Sequence, residues 1–152
     1  MRTFETIKPD QDPAGKLAEM AVNIQYEDIP AEVIEASKKA ILDTIAVTIA
    51  GSSWEVTPQI AEMVRDWGGK PESSVLVYGY KVPAASAAFA NGVMARAIDM
   101  GDVHELSGHV TEWIIPTLLS AIGMKEEKTT GQDFLMAYIA GAELTVRIGG
   151  AI

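Results

Sequence analysis

Leu17, Met20, Ala21 and Ile24 fall on one side of a helix of 3.6 residues per turn, so the spacing predicts a first helix over residues 16–24, opened by Asp12-Pro13. Pro30 suits the first turn of a second helix, in which Ile34, Ile41, Ile45 and Ile49 recur at near-helical spacing until Gly51 stops the run. Thr57-Pro58 opens a third, carrying Ile60, Met63, Val64 and Trp67, and Gly68-Gly69 closes it. The period then changes. Residues 73–82 (SSVLVYGYKV) are β-branched and aromatic around Gly79, which reads as two short strands and a tight turn. From Pro83 the chain becomes alanine-rich, and side chains this small let helices approach closely, so a buried helix is expected there. A polar loop over 101–108, a helix over about 111–124 and a last helix over 132–149 complete the pattern.

The last helix is apolar on more than one side, through Phe134, Leu135, Tyr138, Ile139, Ala142, Val146 and Ile148. Such a helix either sits centrally in a small bundle or is covered by a partner chain or by further sequence. The expected fold is mainly α, a helical bundle with one short β-hairpin. It forms a single helical domain over residues 1–152 that is expected to be incomplete.

Composition narrows the function. Hydrophobic residues make up 48% of the chain and charged residues 22%, enough apolar material for a packed core. Cysteine is absent, which removes thiol nucleophiles and Cys-ligated zinc and fits a reducing compartment. Residues 1–9 lack the apolar run of a signal peptide, so the expected location is cytoplasmic. The longest apolar run, residues 41–50, is broken by Asp43 and Thr44 and falls short of the roughly 20 residues that span a bilayer. A net charge of -9 repels phosphate backbones and anionic lipid, so neither nucleic acid nor membrane is expected as a partner.

Proton-transfer chemistry concentrates between Asn91 and Pro116. Both histidines, His104 and His109, lie there with Arg96, Asp99, Asp102, Glu105 and Glu112. An imidazole titrates near neutrality and a carboxylate beside it orients and charges it, which is the pairing general acid–base chemistry uses.

Three stretches, ANGVMARAID, GHVTEWIIPTLLS and DFLMAYIAGAELTVRIG, together with ILDTIAVTIAG, resemble the 2-methylcitrate dehydratase (MmgE/PrpD) family, in order along nearly the whole chain. The resemblance covers the amino-terminal part of that family's helical domain; members continue into a second, mixed α/β domain. It implies chemistry beside carboxylates of small polycarboxylates, whether dehydration, decarboxylation or epimerisation, with no cofactor. Matched to the family's N-G-x-x-x-H-x-L-D-F-D-D-T and H-P-S patterns, Asp99 and His109 are implied as catalytic; Arg96, Thr111 and His104, the last without a family counterpart, are weaker substrate-binding candidates. Arg96 stands where the pattern has histidine, Met100-Gly101 replaces Phe-Asp, Val103 replaces threonine, and Val110-Thr111 follows His109 in place of Pro-Ser. Losing that threonine hydroxyl removes a donor for substrate and points to a sibling activity. The resemblance further implies a downstream lysine and histidine, and either a homo-oligomer or a second chain that completes the fold.

Two other readings stay open. Asp99, Asp102, His104, Glu105, His109 and Glu112 offer oxygen and imidazole donors suited to manganese or zinc, without a recognised ligand spacing. A catalytically silent helical interaction protein is the third. Elsewhere, Glu143 and Arg147 are spaced for an i,i+4 ion pair, Gly131, Gly141 and Gly149 mark a helix start, contact and end, Trp54 and Trp67 are expected to cover core edges, and Trp113 to be buried or to wall a pocket.

Overall fold

The structure is a computed structural model that describes residues 12–151, so the reading of residues 1–9 lies outside it. Among the described residues the protein is mainly helical, with six α-helices and one two-stranded antiparallel sheet. Helix α1 spans Pro13–Asn23 and is capped by Asp12, whose carboxylate accepts from the Ala14 N–H at 3.0 Å. A short 3-10 turn at Tyr26–Asp28 leads to α2, Ala31–Gly51, with Pro30 just outside the helix at its N-cap. Helix α3 is Thr57–Asp66. Strands β1, Ser73–Val75, and β2, Tyr80–Val82, pair with Val75 opposite Tyr80. Then come α4, Ala84–Arg96, α5, Thr111–Ile122, and α6, Gly131–Gly149.

The alanine-rich α4 is the hub, touching α2, α3, α5 and both strands. Its small faces allow this: Ala87, Ala90 and Met94 are fully buried with Ala61, Val64, Val75 and Val82 in one apolar cluster. Gly51 marks the tightest approach, since a Cβ there would lie 2.1 Å from the Met94 carbonyl oxygen. Asn91, also buried, turns away from the polar loop and clamps the hairpin, accepting from the Leu76 N–H at 2.9 Å and donating to the Ser74 carbonyl at 3.1 Å. A second cluster joins Ile29, just before α2, to Ile115 of α5 and Tyr138 and Ile139 of α6, with Ile34 and Ile41 of α2 packed against it.

Several apolar positions lie elsewhere than their spacing predicts. The buried side of α2 uses Ser37, Thr44, Val47 and Thr48, whereas Ile49 is exposed. The two threonine hydroxyls donate to the carbonyls four residues back, Thr44 to Ala40 and Thr48 to Thr44, so they enter the core without an unsatisfied donor. Trp54, Trp67 and Ile148 are likewise more than half exposed or at half exposure. Trp67 stacks on Phe89, ring centres 6.5 Å apart, and so covers a neighbour while staying in solvent. Glu143 and Arg147 do form their ion pair, at 3.0 Å, on the solvent side of α6. Gly141 faces Ile114 across the α5–α6 contact.

Candidate functional site

Helix α4 ends at Arg96, and the chain leaves it through Asp99, whose φ of 53° is in the left-handed region that side chains other than glycine, asparagine and aspartate seldom adopt. That turn brings the Asp99 carboxylate back onto Arg96, to which it is hydrogen-bonded and ion-paired. The Arg96 guanidinium holds the Asp99 carboxyl below the usual carboxylate range. The loop continues to His109, whose Nε2 lies 3.9 Å from Asp99 Oδ1. Asp99 and His109 are therefore neighbours across the bend, at the junction of α4 with α5.

The other face of the imidazole meets Glu112, which the sequence places in the same proton-transfer segment without giving it a role. Glu112, in the first turn of α5, is 2% exposed, with Oε1 3.2 Å from His109 Nδ1 and Oε2 3.4 Å from Arg96 Nε. Neither carboxyl oxygen, nor His109 Nδ1, completes a hydrogen bond. Burial pushes the Glu112 carboxyl up, and the charges of His109 and Arg96 pull it part of the way back. An acid in the first turn ordinarily reads as a solvated complement to the helix dipole, which is why sequence alone passes over it. Gly101 makes room for it: a Cβ there would lie 2.0 Å from Glu112 Oε1.

Thr111 is buried and its hydroxyl donates to Asp102, pinning the loop to the start of α5. His104 closes a tight turn: its backbone N–H and C=O pair with Gly108 at 2.8 Å, and its Nδ1 accepts from the Leu106 N–H at 3.2 Å. No hydrogen bond or ion pair among the described residues joins His104 to the Asp99–His109 cluster. Nor does any group of three or more such donors there take metal-holding positions. Beside the cluster lies a groove of about 460 Å³ between α4 and α5, walled by Phe89, Val93 and a half-exposed Trp113, with Arg96 and Glu112 at its polar end. Such a groove can accept a small molecule with a carboxylate at the Arg96 end and an uncharged part along the aromatic wall.

A family model described as the MmgE/PrpD N-terminal domain matches residues 15–152. The chain belongs to the MmgE/PrpD family. Among its curated relatives in this family, the cis-aconitate decarboxylase-like protein oryM of Aspergillus oryzae is 28% identical over 95% of this chain and 31% of its own length. The cis-aconitate decarboxylase of Aspergillus terreus is 28% identical over 91% of this chain and 29% of its own, and that of Mus musculus 27% identical over 86% and 28%. The chain thus spans about a third of the length of the curated relatives it matches. No helix among its described residues is long and apolar enough to cross a membrane.

Proposed function

We propose that this MmgE/PrpD chain supplies part of the pocket of a cytoplasmic lyase that moves a proton at a carbon next to a carboxylate of a small polycarboxylate. The observation that carries this reading is the pairing of Asp99 with both His109 and Arg96, and Arg96 itself lines the polar end of the α4–α5 groove. A carbon acid beside a carboxylate needs a base in reach and positive charge where negative charge builds up. Here the reading assigns the proton to His109 Nε2, 3.9 Å from Asp99 Oδ1, and a substrate carboxylate to Arg96. Asp99 holds both in register. Thr111 serves through its bond to Asp102, and His104 through the turn it closes. The relatives named as cis-aconitate decarboxylases support a polycarboxylate as substrate. The reading needs no metal or other cofactor, and takes the remaining wall of the pocket from a second copy or a further polypeptide.

Titration with cis-aconitate and citrate, followed by tryptophan fluorescence against a Trp113→Phe control, tests it. The expected result is a saturable change lost in the control and weakened about tenfold or more by Arg96→Gln or Asp99→Asn. In D2O, exchange of the C–H beside the carboxylate should disappear with His109→Asn. Absence of saturable binding by either acid sinks the reading.

A further inference from the structure

Glu112 is a buried acid for which the reading above has no use. Its carboxyl is almost wholly enclosed, unmatched by any hydrogen bond, and still sits within ion-pair distance of an imidazole and a guanidinium. Burying an unpaired carboxylate is costly, and a first-turn position on α5 would let a glutamate reach water instead. The space it occupies is kept by Gly101, where any larger residue would collide with its carboxyl, the nearest approach being 2.0 Å. The charges facing it come from each side of the pocket: Arg96 from the end of α4, and Asp99, Asp102 and His109 from the loop.

We propose that Glu112 is the proton-accepting partner of His109, taking the Nδ1 proton as Nε2 receives one from substrate, with Gly101 preserving the space for its carboxyl. The step balances. His109 begins neutral with its proton on Nδ1 and Glu112 begins as carboxylate. The substrate C–H bond breaks and its proton bonds to Nε2. The ring turns to aim Nδ1–H at Glu112 Oε1, 3.2 Å away and not yet hydrogen-bonded, the Nδ1 proton passes to that oxygen, and one negative charge moves from Glu112 to the substrate. His109 ends neutral in its other tautomer, so the groove never has to hold an imidazolium beside a charged Arg96. Burial, which favours the neutral acid, prepares Glu112 for that proton. Because Glu112 acts through His109, it is a positioning residue, and the inference rests on His109 being the proton carrier.

The test needs no substrate. Carbon NMR of the glutamate carboxyls in the full chain, with Glu112 assigned by Glu112→Gln, follows its titration in wild type, His109→Gln and Gly101→Ala. Glu112 is expected to titrate above the exposed glutamates, and its midpoint to move in His109→Gln, where the imidazole facing its Oε1 has gone. In Gly101→Ala the displaced carboxyl should return to the range of the others. Thermal melts give an independent readout. A raised acid stabilises the fold at low pH and forfeits that contribution as pH rises through its folded value, so Glu112→Gln should melt roughly 2–4 °C above wild type at pH 8 and level with it near pH 4. The proposal is overturned if Glu112 titrates with the exposed glutamates, if His109→Gln leaves its midpoint in place, or if Glu112→Gln is equally destabilised at both pH values. Coupled titration without binding of cis-aconitate or citrate would defeat the proposed function alone, and binding without coupling would defeat this inference alone.

Discussion

Asp99 does two jobs that substitutions can separate. Its backbone takes the left-handed turn that ends α4, and its side chain pairs with Arg96 and approaches His109. Glycine adopts that conformation freely whereas alanine is strained there, so Asp99→Ala should unfold more readily than Asp99→Gly by about 1 kcal/mol in urea melts. Both lack the carboxylate, so both should bind the polycarboxylate probes equally poorly. Equal stability of the two variants would show that the left-handed turn is not kept in solution. The pH signs at this bend run in opposite directions. Asp99, lowered by Arg96, lends stability above the unfolded carboxyl value that fades as pH falls through its depressed one, while Glu112 lends stability at low pH that fades on raising it. Asp99 and His109 could be picked out of the sequence because a motif pairs them. Glu112 falls in the same segment of the sequence but is not distinguished there from its acidic neighbours, because what singles it out is a space beside Gly101 that only folding creates.

The helices themselves were readable where local chemistry announced them. Asp12-Pro13 and Thr57-Pro58 mark starts; on α6 the structure adds a reciprocal capping box not read from the sequence, Thr130 and Asp133 each bonding the other's backbone N–H through its side chain at 2.9–3.1 Å. Thr130→Ala removes half of that box and is expected to cost about 1 kcal/mol, read as a lower urea midpoint with an unchanged slope. Pattern reading found the side of α2 that packs on the second cluster, through Ile34 and Ile41, and missed the side that α4 covers. Hydrophobicity selects the isoleucines, but α4 lies against the side bearing Thr44, Thr48 and Gly51, because a near contact of two backbones requires small residues there. Gly51→Ala must push the α2 backbone off the Met94 carbonyl, and a loss of about 1–3 kcal/mol is expected. Met94→Ala, which empties the centre of the same contact, should lose about 2–5 kcal/mol. If Gly51→Ala melted with wild type, the close α2–α4 approach would be wrong.

The isoleucine that left the core points to how the molecule is covered. Leu42, Ala46 and Ile49 recur at positions i, i+4 and i+7 of α2 and all are exposed, so the helix has a second apolar stripe on the side away from α4. Trp54 and Val56, just beyond the end of α2, are also more than half exposed. A stripe of this length left in water favours self-association, since burying each large side chain returns on the order of 1.5–3 kcal/mol. The net charge of -9 works against any such contact through repulsion, and salt screens that repulsion without weakening apolar burial. A second copy of the chain over α2 therefore predicts a specific salt dependence: sedimentation at rising ionic strength should show mass shifting from one chain towards two. Leu42→Lys with Ile49→Lys should abolish the shift while leaving the melting curve cooperative, because neither side chain is part of the core. A chain that stays monomeric across that range of salt would mean that the stripe serves another partner or none.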